Sequence, residues 1–88
     1  MRLRQEDDFF RPTCLVVLGG QFLRITNNGT TVHNFTVEGT DLDVDVDASS
    51  HLTTEVIGQA VGPGTHRFFC KYHVDAGMEG ELTVTAAG

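Results

Sequence analysis

The stretch Phe68-Phe69-Cys70-Lys71-Tyr72-His73-Val74-Asp75-Ala76-Gly77-Met78-Glu79-Gly80 places a thiol, an imidazole and a thioether in the order Cys-x2-His-x4-Met. It starts at the end of one apolar, strand-like run (residues 65–70) and leads into another (residues 81–85). The three side chains therefore fall in a loop between two strands. A loop of this length can fold back until all three converge on one point, and Gly77 and Gly80 supply the backbone freedom such a turn needs. Soft sulfur donors beside imidazole favour copper. Two His and one Cys with a weak axial Met is the arrangement of electron-transfer copper sites. Zinc also accepts Cys and His, but a thioether is a poor zinc ligand.

A second imidazole has to come from elsewhere, and strand parity selects it. On residues 32–37, His33 shares a face with Phe35 and Val37 and points inward. Cys70 shares its face with Phe68, so His33 and Cys70 project into the same core near strand ends. His66 lies four residues before Cys70 on one strand, about 13 Å away at the usual rise, too far to share a metal with it. His51 has no comparable positional support. Taken singly, each candidate reads as ordinary core: free cysteine is often buried, methionine fills gaps, and an inward histidine is often only hydrogen-bonded. It is their conjunction that points to a metal.

Outward from this loop the chain repeats one rhythm, a short apolar run followed by a turn. Residues 15–18 close at Gly19-Gly20, residues 22–26 at Asn27-Asn28-Gly29, and residues 32–37 at Glu38-Gly39. Residues 52–57 close at Gly58, and Val61-Gly62-Pro63-Gly64 precedes residues 65–70. β-branched and aromatic residues at these lengths predict strands. About seven strands at such spacing, with no βαβ alternation, predict an all-β antiparallel sandwich. Asp41, Asp43, Asp45 and Asp47 alternate with Leu42, Val44 and Val46, which fits an edge strand with one wet face. A calcium loop is disfavoured, because aspartates on one strand face spread apart and the loop's glycine turn is missing. Residues 1–8 are charged and predict a flexible N-terminal arm, with residues 9–88 forming one domain.

The chain has 88 residues and a formal charge of -6, from twelve acidic and six basic residues. That disfavours nucleic acid, which needs a basic footprint, and permits steering towards a cationic protein. A chain this small buries only about 60% of its unfolded surface, so a bound metal would help to stabilise it. Cys14 and Cys70 are an even pair, which allows a disulfide but is no disulfide framework. No run approaches the roughly 18 apolar residues of a membrane span, and residues 1–13 lack the apolar stretch of a signal peptide. The expectation is a soluble chain that does not insert in a membrane.

With these residues in hand, the sequence resembles the cupredoxins, specifically the plastocyanin, pseudoazurin and halocyanin group, from about Phe9 to Val84. Phe10-x-Pro12-x-x-Leu15-x-Val17-x-x-Gly20 is similar to the family's first strand and turn. Asn27-Asn28 through His33-Asn34 has the plastocyanin spacing, including the His-Asn pair. Pro63-Gly64-Thr65 resembles the turn before the cysteine strand, and Cys70-x2-His73-x3-Gly77-Met78-x-Gly80 resembles the ligand loop. The resemblance implies a Greek-key sandwich holding one mononuclear copper, with His33, Cys70 and His73 as strong ligands and Met78 as the long axial one. It implies that Asn34 ties the two ligand loops together and shields the sulfur. His73 would sit in an apolar rim including Val74, Ala76 and Gly77, where electrons enter or leave.

The implied function is a blue copper protein that shuttles single electrons, monomeric and not an enzyme, in the periplasm or another extracytoplasmic space. Its partners would be transient redox proteins such as a cytochrome or oxidase. A copper-delivery protein is the alternative. An oxidase or reductase fragment fits less well: a dinuclear site needs a second cysteine in the ligand loop, and multicopper sites need further histidine pairs. Several positions depart from the family pattern. Val32 stands where plastocyanins commonly have proline, and Phe69 where photosynthetic ones carry tyrosine. The Asp41, Asp43, Asp45 and Asp47 run is not equated with their acidic docking patch. Cys14 has no role in the pattern and is expected as a buried or half-buried small apolar residue.

Overall fold

Strand-forming runs separated by turns give the two-layered structure that such alternation dictates. The computed structural model describes residues 1–86, so the last two residues of the expected domain lie outside the described residues. Among the described residues, nine strands form two sheets: β1 (Arg2–Glu6), β2 (Phe9–Arg11), β3 (Cys14–Leu18), β4 (Arg24–Asn27), β5 (His33–Val37), β6 (Asp43–Val46), β7 (His51–Thr53), β8 (Gly64–Phe69) and β9 (Glu79–Thr85). One sheet has the order β2-β1-β4-β7 and the other β3-β9-β8-β5-β6. A single helical turn, α1 (Ile57–Ala60), replaces the end of the strand expected over residues 52–57.

The seven expected strands correspond to β3 through β9, and the two additional ones come from the N-terminus. Residues 1–8, expected as a flexible arm, instead carry β1, which pairs with β2 antiparallel and with β4 parallel. Leu3 and Gln5 are fully buried on its inner face while Arg2 and Arg4 face solvent. Period-two alternation is therefore present, but over five residues with only one apolar member. The sheets are also mixed: β3 pairs with β9 in parallel, a second exception to the expected antiparallel order.

Between the sheets lies an apolar core that includes Leu3, Leu15, Val17, Leu23, Ile25, Val37, Leu82 and Val84. Three aromatic rings form its centre. Phe10 meets Phe68 edge to face at a centroid distance of 4.8 Å, and Phe35 lies 5.1 Å from Phe68. Such pairs add about 0.5–1.5 kcal/mol each beyond area burial. Phe35 is two residues after His33, and Phe68 is two before Cys70. The same parity that buries these rings turns His33 and Cys70 into the sandwich interior.

Cys14 differs from expectation. Leu15 and Val17 take the inward positions of β3, so Cys14, Val16 and Leu18 face outward and Cys14 is exposed. Both cysteines are free thiols.

Candidate metal centre

His33 opens β5, and Cys70 directly follows β8. Both are fully buried. Beyond Cys70 the chain turns tightly. The His73 N–H donates to the Cys70 carbonyl at 3.1 Å, and a 3-10 turn runs Val74–Ala76. Gly77 then adopts the left-handed conformation at φ 85°, which a residue with a Cβ resists. The Cys70 N–H donates to the Met78 carbonyl at 3.0 Å, so the two ends of the loop are bonded to each other. Met78 is fully buried. Sequence spacing thus becomes a closed loop whose sulfur and imidazole residues start and end at one place.

The donor atoms converge. His33 Nδ1 and His73 Nδ1 are 3.2 Å apart, and His73 Nδ1 is 3.4 Å from Cys70 Sγ. One donor atom from each of these residues lies within 4.8 Å of the others. Atoms bound about 2.0–2.3 Å from a shared centre stand about 3–4 Å apart at trigonal or tetrahedral angles, so the separations fit one ion. A buried thiol, two imidazoles and a buried thioether residue in the closing loop fit copper's preference for soft and borderline donors. His73 alone of the three is part-exposed. His66 and His51 lie elsewhere: His66 Nε2 is 2.8 Å from the Gly62 carbonyl, and His51 is exposed on β7.

Asn34 connects the two halves of the site. Its backbone N–H donates to Cys70 Sγ at 3.3 Å, and its side-chain oxygen accepts the Lys71 N–H at 3.2 Å. Its Nδ2 donates to Asp43 Oδ1 at 2.7 Å and to Asp45 Oδ1 at 3.0 Å. The aspartates that looked like a wet strand edge also hold the ligand loop. Lys71 Nζ pairs with Asp43 at 3.1 Å, and the Tyr72 hydroxyl donates to Asp45 Oδ2 at 2.8 Å. The Asn34 amide and the Lys71 ammonium hold the Asp43 carboxyl below its usual range; Asn34 and Tyr72 do the same for Asp45.

One neighbour was invisible in the sequence. Asp7, in the turn between β1 and β2, puts Oδ1 3.1 Å from His33 Nε2. The two residues are 26 positions apart, and no local pattern marks a carboxylate for such a contact. Hydrogen bonds from the Thr30 N–H and hydroxyl, with His33, lower the Asp7 pKa below its ordinary value.

Residues 1–84 match the family model described as a cupredoxin-like domain. A plastocyanin from Daucus carota is 30% identical over 84 residues, covering 86% of this chain and 87% of that protein. A plastocyanin from Lactuca sativa is 31% identical over 85 residues, covering 85% and 86%. In fold, a mutant fern plastocyanin superposes with a TM-score of 0.76 at 22% identity, covering 97% of this chain and 100% of that one.

Proposed function

We propose that this chain, which belongs to the cupredoxin-like family, holds one copper ion through His33, Cys70, His73 and Met78 and carries single electrons between redox proteins. The observation that carries this reading is the convergence of His33 Nδ1, from the start of β5, with Cys70 Sγ and His73 Nδ1 of the closed loop. Copper bound there supplies the one-electron couple between Cu(II) and Cu(I).

The chain's own residues do the rest. Cys70 supplies a thiolate in a dry setting, and the Asn34 N–H directed at its sulfur withdraws charge from it. Burial of His33, Cys70 and Met78 limits water and keeps the donors in place through a change of charge. The loop is bonded from Cys70 to Met78 and latched to β6 by Lys71 and Tyr72, so little reorganisation accompanies electron transfer. His73 is the route in and out, because it reaches the surface while the other donors do not. Partners dock there briefly, as redox encounters do.

Delivery of copper is the weaker reading, since three fully buried donors, His33, Cys70 and Met78, oppose rapid exchange. No helix among the described residues is long and apolar enough to cross a membrane. An extracytoplasmic setting remains part of the proposal, checked by fractionating cells that express the native gene. The deciding experiment is addition of Cu(II) to the purified chain. An intense visible thiolate-to-copper band and a reversible voltammetric wave are expected. Cys70→Ala should abolish the band and His66→Ala should leave it intact; a colourless copper complex of the unaltered chain overturns the proposal.

A further inference from the structure

We propose that Asp7 is a positioning residue for the metal centre: its carboxylate accepts the His33 Nε2 proton, fixing the tautomer that leaves Nδ1 free to bind copper and lowering the reduction potential. This rests on the copper reading above.

A neutral imidazole has one N–H and one lone-pair nitrogen. An ionised carboxylate only accepts hydrogen bonds, so Asp7 Oδ1 at 3.1 Å assigns the proton to Nε2. His33 Nδ1 then faces His73 Nδ1 and the sulfur with its lone pair. Tautomer and ligand atom thus follow from one contact. Asp7 is itself held in place: Thr30 donates its N–H to Oδ1 at 3.0 Å and its hydroxyl to Oδ2 at 2.9 Å. Those two bonds orient the carboxylate towards the ring.

The neighbouring backbone makes room for the contact. Gly29 stands beside the pair, and a Cβ there would meet both Asp7 Oδ1 and His33 Nε2, the latter at 2.6 Å. The Gly29 N–H is held by Asn27 Oδ1 at 2.8 Å, so this turn cannot simply swing aside. β1 matters for the same reason. Its pairing with β4 brings the turn bearing Asp7 alongside the turn bearing Thr30. A strand expected from the sequence as a loose arm thereby delivers a carboxylate to a buried histidine.

A carboxylate on the outer nitrogen makes the ligating nitrogen more basic and places negative charge near the metal. Both effects favour the more highly charged oxidised ion over the reduced one. A purely structural role, stapling two turns together, predicts no such change in potential. Asp7→Asn separates the two, because its amide oxygen can still accept both Nε2–H and the Thr30 N–H while the charge is gone.

The test compares the unaltered chain, Asp7→Asn and Asp7→Ala, each loaded with copper. Voltammetry gives the potential, chelator competition the affinity, and 15N NMR of the reduced form the His33 tautomer. Expected are a raised potential in both variants and copper affinity about 10–100-fold weaker in Asp7→Ala. The Nε2 proton should exchange faster in Asp7→Ala. A potential and affinity unchanged in both variants, with the band intact, overturn the inference. If the unaltered chain gives no blue band, the copper reading has failed instead. The same NMR experiment on the metal-free chain then decides the Asp7 contact alone, since loss of the Nε2–H form on Asp7→Ala is still expected and its persistence refutes the contact.

Discussion

The backbone N–H of Asn34 donates to Cys70 Sγ at 3.3 Å, joining the start of β5 to the end of β8 at the sulfur itself. The side chain of Asn34 turns the other way, and its oxygen and nitrogen both have protein partners. Replacing Asn34 with Ala should strip the Lys71 N–H of its acceptor and leave Asp43 and Asp45 without their shared donor. Asp43 and Asp45 are exposed and keep Lys71 and Tyr72, so the expected loss in urea denaturation of the copper-free chain is that of ordinary hydrogen bonds, about 1 kcal/mol. The N–H to sulfur bond comes from the backbone, so Asn34→Ala should keep a blue band, broadened or shifted.

Asp43 and Asp45 give the chain a specific acid response. Both have folded pKa values below the ordinary 3.8, chiefly through Asn34 and then through Lys71 or Tyr72. A depressed carboxylate pKa contributes stability that is complete above the unfolded value and is lost as pH falls through the lower folded value. The urea midpoint should therefore drop as pH falls below about 4. Asp43→Asn with Asp45→Asn should be less stable at neutral pH and show a flatter decline in acid. Parallel curves for the two proteins would sink the assignment.

Two glycines of the ligand loop should fail for different reasons. At Gly80 a Cβ would meet the Thr13 carbonyl oxygen and, at 2.6 Å, Phe68 Cζ. Gly80→Ala should cost about 1–3 kcal/mol by overpacking, and Ser should be no better. At Gly77 nothing lies within 4 Å of a Cβ, but φ is 85°. Gly77→Ala should cost about 1–2 kcal/mol through left-handed backbone strain. Asn tolerates that conformation and should restore much of the loss. Thermal melts of the four variants separate the two causes.

These examples show where sequence was informative. Cys70, His73 and Met78 lie within nine positions of each other, and period-two parity turned His33 inward beside Phe35, so that local rules were enough to single out the candidate ligands. β1 did not follow from them. Its one apolar residue, Leu3, alternates with charged residues, and its stability comes from pairing with β2 and β4. Buried Gln5 has no local signature either, since its partner is the Asn34 carbonyl, 29 positions away. Asp7, Asp43 and Asp45 resemble solvated charges until β1 and β6 are placed. Parity did apply to Cys14, where Leu15 and Val17 claim the core side of β3; the expectation of burial overlooked it.

Surface charge around His73 should control how fast electrons cross it. Asp75 is exposed in the 3-10 turn directly after His73 and Val74, and Ala76 beside it is exposed as well. When two copies of this acidic chain meet rim to rim, each Asp75 opposes the other. Rim charges act mainly on association and its salt dependence. Asp75→Asn should speed electron self-exchange about three- to tenfold at low salt, and Ala76→Asp should slow it by a similar factor. Both differences should shrink as salt screens the charges over a Debye length of about 8–10 Å. NMR line broadening in mixed oxidised and reduced protein measures the rate, and voltammetry should show similar potentials in both variants. Exchange rates insensitive to both substitutions would move the electron's route away from His73.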